Sequence, residues 1–400
     1  MSRRLLVALL PALALLLGGC PEVARPVLSV AHEPARPSRP AAPVAEVATR
    51  EPTDAQHAAP VAEVAPIEPP DAPPTAPVFE RVELEARAMG TRVVLAAYPT
   101  ETLDRAAVKR ALDDALAEIE RLEALMTPWR TESELSRINE AAGKAAVPTG
   151  EDTLAVIARS LEVAKASDGV FDITFASMGK LWRFDHDRVA EIPDARALAK
   201  ARRNIDYRGV VVDAAARTVK LARKEQRIDL GGIAKGYAVD RASAVLRAAG
   251  LSSFYVQAGG DLYIAGTKPD GEAYKVGVRD PRGPDGSFFA RLPITDRAFS
   301  TAGDYERAFL KDGRRYHHII DPRTGYPATA SRSVTVWAKD AFTADAIDDA
   351  VFILGPEKGL RLVESIADCG AVIVGADNTV WISSRLKPIL EVLHAPTDGT

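Results

Sequence analysis

The chain is poor in cysteine, which limits the ways in which it can be stabilised. Cys20 and Cys369 are its only cysteines. They allow one disulfide at most, and none if Cys20 carries a lipid, as its surroundings predict below. A disulfide-stapled scaffold is therefore excluded. The fold must depend on an apolar core, in which Cys369 is expected to be buried.

An excess of positive charge is also absent. The 51 Lys and Arg residues are outnumbered by 55 Asp and Glu residues, and the net charge is −4. Nucleic acid is not expected as a partner, because the chain carries no cluster of basic residues that would bind a phosphate backbone. Neither GxGxxG nor GxxxxGK[ST] occurs in the sequence. A Rossmann or P-loop fold therefore has no support.

Aromatic residues are missing from residues 21–77, where half of the chain's 28 prolines lie among Ala, Glu and Val. Such a composition cannot bury enough apolar surface to fold. We therefore predict a disordered tether over residues 21–78. The heptapeptide Ala-Pro-Val-Ala-Glu-Val-Ala occurs at residues 42–48 and again at residues 59–65, which indicates a duplicated spacer.

The N-terminus lacks a run long enough to span a bilayer. Residues 5–17 are apolar, but a membrane-spanning helix needs about 20 such residues. Behind Arg3 and Arg4 they are typical of a removable signal. Leu-Gly-Gly-Cys at residues 17–20 resembles a bacterial lipobox, so we predict a lipoprotein signal over residues 1–20 and lipidation of Cys20. We expect a lipid-anchored, extracytoplasmic protein on the periplasmic face, with the inner membrane favoured. The alternative is an ordinary signal peptide with a coincidental cysteine.

A folded body is predicted from residue 79 onward. Alternating apolar residues on both sides of Met89-Gly90-Thr91 predict a β-hairpin over residues 82–98. Helices are predicted at residues 103–126, 152–166, 234–249, 344–354 and 356–366, and strands at 254–257, 262–265, 274–278, 289–294, 318–320, 334–337 and 371–374. Strands and helices come in blocks, which favours an α+β fold. We expect a largely antiparallel sheet flanked by helices, as one large body over residues 79–400 or as two lobes.

The first segment with candidate chemistry is residues 227–240. A predicted strand ends at Asp229 and runs through Gly231 and Gly232 into a helix with Lys235 in its first turn. Exposed N–H groups, the helix dipole and an ammonium all suit a phosphate group. A glycine-rich turn with a solvated lysine is the alternative.

The second segment is residues 316–325. His318 and Asp321 lie three residues apart at a predicted strand end and are candidates for a general base and its orienting partner. The alternative is structural, with one of the adjacent histidines in the core and the other on the surface.

The third segment is residues 343–350. Asp345 and Asp349 are four residues apart and so share one helix face, where their oxygens suit Mg²⁺. Alternatively, these acidic residues only complement the helix dipole behind an N-cap at Thr343. Two glycine-acid turns are predicted as well, at residues 259–261 and 300–305.

In this order, the segments resemble the FAD:protein FMN transferase family, the ApbE-type flavinyltransferases. The resemblance runs through residues 89–91, 133–139, 171–174, 181–184, 229–236, 259–261, 300–305, 318–325 and 344–346. It covers nearly all of the predicted folded body. Members of this family are commonly periplasmic lipoproteins, which agrees with the predicted signal.

The resemblance implies a Mg²⁺-dependent reaction with FAD as a substrate. A serine or threonine hydroxyl of a partner protein attacks the FMN phosphorus of FAD, and AMP leaves. The implied partners are extracytoplasmic domains of membrane redox flavoproteins, with an Asp-x-x-Ser/Thr-Gly-Ala-Ser/Thr acceptor segment. The implied FAD contacts are Met89, Trp129, Asp172, Ile173, Thr174, Asp229, Lys235 and Ile319; the implied metal ligands are Gly232, Asp345 and Asp349; and the base is His318 or Asp321.

The sequence departs from the family at one position. The family usually has a threonine four residues after the metal-binding aspartate, where this chain has Asp349. A carboxylate is still a hard ligand, but its extra charge weakens attraction to a diphosphate and can shift metal preference toward Ca²⁺ or Mn²⁺. FAD hydrolysis to FMN and AMP, and FAD binding without chemistry, therefore stay open beside FMN transfer.

Overall fold

The computed structural model describes residues 80–179, 181–184 and 191–399. The predicted signal peptide, the predicted tether and Cys20 lie outside these residues and stay predictions. All described residues belong to one of the chain's two compact units, Ala58–Thr400. No helix within the described ranges has both the length and the apolar character needed to cross a membrane.

Short strands and medium-length helices make up the described body. The strands are β1 (Val82–Ala88), β2 (Thr91–Ala97), β3 (Val147–Pro148), β4 (Val210–Asp213), β5 (Thr218–Leu221), β6 (Phe254–Ala258), β7 (Asp261–Ala265), β8 (Tyr274–Arg279), β9 (Phe288–Ile294), β10 (Arg297–Gly303), β11 (Ala308–Lys311), β12 (Arg314–His317), β13 (Ile320–Asp321), β14 (Tyr326–Pro327), β15 (Ser331–Ala338), β16 (Gly370–Gly375), β17 (Val380–Ile382) and β18 (Glu391–Val392). The α-helices are α1 (Arg105–Met126), α2 (Glu134–Glu140), α3 (Glu151–Ala166), α4 (Ala195–Arg202), α5 (Ala234–Ala248), α6 (Ala341–Leu354) and α7 (Pro356–Glu364). Two 3₁₀ helices span Ile173–Met178 and Tyr207–Gly209.

A large antiparallel sheet organises the body. Among the described residues it contains eight strands in the order β1-β2-β6-β7-β10-β15-β16-β17, and each neighbouring pair is antiparallel. The sheet and its flanking helices confirm the predicted α+β fold class. Smaller sheets are β11-β12, β13-β14, β18-β9-β8 and β3-β5-β4.

Both faces of the large sheet are covered. On β2, Val93 and Leu95 belong to the main core, which includes α1, α5 and α6, whereas Val94 and Ala96 belong to a second core with β8 and β9. Successive strand residues point to opposite faces, so the helices cover one face and the β8-β9 sheet the other. Burial of each large apolar side chain contributes about 1.5–3 kcal/mol. The middle strands therefore need apolar residues on both sides, and β6 is buried throughout.

The first hairpin places an unusual residue at its turn. Ala88 pairs with Thr91, so Met89 and Gly90 form a two-residue turn. Both have positive φ, 53° for Met89 and 71° for Gly90. Such turns match the twist of the flanking strands, but a long side chain rarely adopts this conformation and is strained there.

Most predicted elements are present. The hairpin over residues 82–98 is confirmed by β1 and β2, and the five predicted helices are confirmed with boundaries shifted by one to three residues. Gly250, with φ of 88°, follows α5 as predicted. Cys369 is buried, as expected.

Four local predictions are wrong. Asp340, not Thr343, is the N-cap of α6, because its side chain accepts from Thr343 N and the helix starts three residues earlier. No strand of the described residues ends at Asp229, whose N–H donates to the carbonyl oxygen of Ile173 at the start of a 3₁₀ helix. Residues 300–303 belong to β10 rather than to a turn. The predicted strand 318–320 is divided, since His318 lies between β12 and β13.

Candidate active site

Helices α5 and α6 approach each other very closely where the candidate residues lie. A β-carbon on Gly236 would lie only 2.2 Å from the Ala341 carbonyl oxygen and 2.7 Å from Asp345 Cβ. Gly236 N instead donates to Asp345 Oδ2 at 2.7 Å. The absence of a side chain at this position therefore lets α5 hold the carboxylate of α6 directly.

Asp240, one turn further along α5, fixes the start of α6. Its two carboxylate oxygens accept from Ala341 N and Phe342 N, each at 2.9 Å. Two N–H groups of the first turn of α6 are thus satisfied from a neighbouring helix. Burial raises the pKa of Asp240 to about 7.

Lys235 is surrounded by protein oxygens. Its Nζ lies 2.9 Å from Asp261 Oδ2 and 3.1 Å from Asp345 Oδ1, and it donates to Gly231 O at 3.3 Å. The two carboxylates raise the pKa of the ammonium well above its usual value, against the effect of burial. The predicted phosphate contact of Lys235 stays a prediction, since these oxygens already occupy its donors.

Three buried carboxylates surround this ammonium from different parts of the sequence. Oxygen atoms of Asp261, Asp345 and Asp348 lie within 4.8 Å of one another, and the three side chains are 1–4% exposed. Burial, followed by repulsion from Asp261, raises the pKa of Asp345 to about 7. Hard oxygens at this spacing fit a divalent cation, so the cluster can bind a metal ion.

Ser300 joins two of these carboxylates and locates a proton. Its Oγ lies 2.6 Å from Asp261 Oδ1 and 2.7 Å from Asp348 Oδ2. A hydroxyl has only one hydrogen to donate, so one of these contacts requires a protonated carboxyl group. Burial and the neighbouring carboxylates raise the pKa of Asp348 well above its usual value. Ser300 thus bridges β7 and α6, and one proton is shared within this group of three side chains.

The predicted ligands Gly232 and Asp349 also come together. A β-carbon on Gly232 would lie 3.0 Å from Asp349 Oδ2. Burial raises the pKa of Asp349 to about 6. The predicted metal set of Gly232, Asp345 and Asp349 and the cluster of Asp261, Asp345 and Asp348 thus share Asp345. Their roles as ligands stay predictions.

His318 lies near this cluster, since the charge of Lys235 acts on its imidazole. Its backbone N–H donates to Arg307 O at 3.1 Å, and its Nδ1 is buried without a hydrogen-bond partner among the described residues. Burial, with help from Arg307, His317 and Lys235, lowers the pKa of His318 to about 3. The imidazole is therefore neutral at pH 7, as a general base requires.

His317 has a structural position instead. Its Nε2 lies 2.8 Å from Ala328 O, and its Nδ1 accepts from Ile319 N at 3.3 Å. Its ring packs edge-on against Phe352. The adjacent histidines thus differ: His317 is bonded in the core, whereas His318 is half-buried with a buried Nδ1 that has no partner among the described residues.

Asp321 forms an ion pair with Arg323. Its carboxylate accepts from Arg323 at 2.7 Å and 2.9 Å, and its Oδ1 also accepts from Arg323 N. Among the described residues, no hydrogen bond joins Asp321 to His318. The roles of His318 and Asp321 as base or orienting partner stay predictions.

The segment 172–174 supports the site through internal bonds. Asp172 Oδ1 accepts from Thr174 Oγ1 at 2.6 Å, and its Oδ2 accepts from Tyr207 N at 2.9 Å. Ile173 O accepts from Asp229 N at 3.0 Å. These bonds hold Asp229 in place, and Asp229 Oδ1 accepts from Gly231 N at 2.7 Å in turn.

The remaining predicted FAD contacts differ in exposure. Trp129, in the loop between α1 and α2, is 84% exposed, whereas Ile319 is 3% exposed. Met89 is half-buried against the main core. Contact of these residues with FAD stays a prediction.

Three residues of the site are not predicted as site residues by the sequence patterns. Asp261, predicted in a glycine-acid turn, starts β7, whose residues are all buried. An acidic residue at a fully buried strand position was the signal that could have identified it. The sequence signal for Asp348 was weaker: it lies about one helical turn after Asp345, so the two side chains are neighbours on the helix. No sequence signal pointed to Arg307, whose backbone carbonyl accepts a hydrogen bond from His318 N.

A family model decides the identification. The model described as ApbE family matches residues 89–373, a range that includes Met89, the Lys235 cluster and His318. The chain belongs to the ApbE family. Membership confirms the resemblance inferred from the ordered motifs.

Relatives and solved structures agree. A FAD:protein FMN transferase from Treponema pallidum is 34% identical over 304 residues, covering 72% of this chain and 84% of the relative. One from Escherichia coli K12 is 28% identical over 313 residues, covering 77% and 88%. The ApbE protein of Thermotoga maritima matches with a TM-score of 0.70 and 31% identity, over 78% of this chain and 99% of that chain. The flavin transferase ApbE of Vibrio cholerae matches with a TM-score of 0.68 and 27% identity, over the same shares.

Proposed function

We propose that this ApbE-family chain transfers FMN from FAD to a serine or threonine hydroxyl of a partner protein. AMP is the other product. The observation that carries the proposal is the buried carboxylate cluster around Lys235, which lies close enough to His318 for the lysine charge to help lower the pKa of its imidazole. A base beside a candidate cation site is what phosphoryl-type transfer requires, because this chemistry depends on positioning and charge neutralisation.

The carboxylates supply the ligands for Mg²⁺. Asp345 and the nearby oxygens of Asp261, Asp348 and Asp349 would hold the ion, with the Gly232 carbonyl as a further ligand. Burial, together with repulsion from neighbouring carboxylates, raises the pKa values of Asp345, Asp348 and Asp349, and a divalent cation would offset this repulsion. When bound, the ion neutralises charge on the diphosphate. Lys235 keeps the ligands oriented from α5.

His318 acts as the general base that accepts the proton of the acceptor hydroxyl. The acceptor hydroxyl loses its proton to the imidazole as its oxygen forms a bond to the FMN phosphorus. The bond from that phosphorus to the bridging oxygen breaks, and AMP carries the electron pair away. The negative charge of bound FAD raises the pKa of the imidazole from its low value in the free protein. Positioned bases of this kind contribute about 10²- to 10⁴-fold.

The predicted lipid anchor suggests where the reaction takes place. A lipid on Cys20 and a proline-rich tether would hold the enzyme at the periplasmic face of the inner membrane, beside the extracytoplasmic domains of membrane redox flavoproteins. These domains are the partners that we propose. FAD must then be exported to reach the enzyme.

Incubation with a defined acceptor tests the proposal. The full chain is mixed with FAD, Mg²⁺ and an acceptor domain carrying Asp-x-x-Thr-Gly-Ala-Thr, and the acceptor is analysed by mass spectrometry after denaturation. We expect addition of one FMN, and none on a control acceptor whose modified threonine is replaced by alanine. Absence of the adduct with every divalent cation would refute the proposal. Free FMN and AMP without adduct would identify FAD hydrolysis, and intact bound FAD would identify a binding protein.

A further inference from the structure

An exposed arginine lies between three parts of the candidate site. The Arg307 guanidinium is close to the Met89-Gly90 turn, since a β-carbon on Gly90 would lie 4.0 Å from its Nη2. Its backbone carbonyl accepts from His318 N at 3.1 Å. Burial raises the pKa of Asp229, and the charge of Arg307 opposes this rise; burial lowers the pKa of His318, and the charge of Arg307 lowers it further. One cation therefore lies among the turn, the Asp229 loop and the candidate base.

Lys235 does not provide a comparable charge. Its ammonium lies within 3.1 Å of both Asp261 and Asp345, and Asp348 and Asp349 lie nearby. Arg307 differs, since no hydrogen bond or ion pair joins its guanidinium to another described residue, and the residue is exposed. Its donors are available to a ligand.

We propose that Arg307 binds the phosphate of the FMN half of FAD. This inference rests on the proposed function and adds a residue to it. A guanidinium presents planar donors that match phosphate oxygens in pairs. Because His318 takes the proton of the attacking hydroxyl, the reacting phosphorus must lie beside it, and Arg307 lies on the same side. The residue thus neutralises charge on the group that is transferred.

Flavin binding provides the test, because it does not depend on turnover. Dissociation constants for FMN, FAD and riboflavin are measured by flavin fluorescence at fixed Mg²⁺ for the full chain, Arg307→Ala and Arg307→Lys. Riboflavin lacks the phosphate and reports on the contacts of the isoalloxazine ring and the ribityl chain. The control is Arg314→Ala, another exposed arginine, which starts β12 and lies over the Tyr316 ring.

The expected result is selective. Loss of a charge-assisted contact weakens binding by about ten-fold or more, so Arg307→Ala should lose that much affinity for FMN and FAD and less than about two-fold for riboflavin. Arg307→Lys should recover part of the loss because it keeps the charge. Arg314→Ala should bind like the unmodified chain. Unchanged FMN affinity in Arg307→Ala, or an equal loss for riboflavin, would overturn the inference.

The transfer assay separates this inference from the proposed function. If the unmodified chain flavinylates its acceptor while Arg307→Ala binds FMN normally, only the inference fails. If the unmodified chain binds FMN through Arg307 but modifies no acceptor, only the proposed function fails. Equal melting temperatures of the variants would show that the exposed side chain does not affect folding.

Discussion

The Nζ atom of Lys235 lies 3.1 Å from Oδ1 of Asp345. This contact joins the first turn of α5 to the second turn of α6 across a point where Gly236 leaves no room for a side chain. Both groups are buried or nearly so, with side-chain exposures of 25% and 3%. The pair keeps the carboxylate cluster assembled before any ligand arrives.

Replacement of Lys235 by methionine should destabilise the fold. The change leaves Asp261 and Asp345 without their cation, and removing one partner of a buried ion pair costs about 3–5 kcal/mol. Chemical denaturation without divalent cations measures the loss. Saturating Mg²⁺ should recover part of it by replacing the missing charge. Lys109→Met, at an exposed ion pair with Asp113, serves as the control and should change stability by less than about 1 kcal/mol. An equal loss in both variants would contradict the prediction.

The adjacent histidines should respond in opposite ways. His318→Ala should lower the transfer rate by about 10²- to 10⁴-fold with little change in melting temperature, because the Nδ1 atom of His318 has no partner among the described residues. His317→Ala should instead lower the melting temperature, because its ring nitrogens bond Ala328 O and Ile319 N. Transfer kinetics and thermal unfolding of both variants measure these effects. A rate unchanged in His318→Ala would exclude it as the base.

The pH dependence of transfer should reflect the low pKa of His318. A base is active when unprotonated, and burial lowers its pKa to about 3 in the free protein. With saturating Mg²⁺, kcat/KM should therefore stay level from pH 7 to pH 5, where an ordinary histidine of pKa about 6.5 would become protonated. A decline of kcat/KM centred near pH 6.5 that does not shift with Mg²⁺ concentration would show that the base, rather than the carboxyl groups of Asp345 and Asp349, titrates in this range.

Asp240 should make the fold less stable as pH rises. Burial raises its pKa to about 7 in the folded chain, whereas an unfolded aspartate has a pKa of about 3.9. Between these values the folded state binds more protons, so stability from this group is full below pH 4 and is lost as pH rises to 7. Asp240→Asn should show a smaller decrease of melting temperature over that range. Parallel pH profiles for the two chains would argue against a raised pKa.

Replacement of Asp349 by threonine should weaken cation binding. The change removes one carboxylate near Gly232, and the charge of the ligand set tunes divalent affinity. Calorimetric titration with Mg²⁺ and Ca²⁺ should show weaker binding by about ten-fold, with the larger loss for Ca²⁺. Asp113→Thr, at an exposed position, should leave both affinities unchanged. Equal affinities in Asp349→Thr and the unmodified chain would show that Asp349 is not a ligand.

Local patterns determined much of the fold. Apolar residues at helical spacing predicted α1, and alternation around Met89-Gly90 predicted the first hairpin. Local rules failed where a neighbouring signal competed, as at Asp340, which caps α6 in place of Thr343. They also missed β10, because Ser300 and Gly303 are typical of turns unless a sheet covers both sides.

The sequence by itself determined which segments carry chemistry, because motif order and residue type are local properties. Only the tertiary structure decided which side chains meet. Ser300 reaches Asp261 because β10 lies beside β7 in the sheet, and it reaches Asp348 because α6 crosses the same strand. Arg307 lies beside Gly90, far away in the sequence. Such contacts follow from strand order and helix packing, which depend on burying apolar surface over the whole chain. The sequence around each residue therefore does not show which distant side chain it will contact.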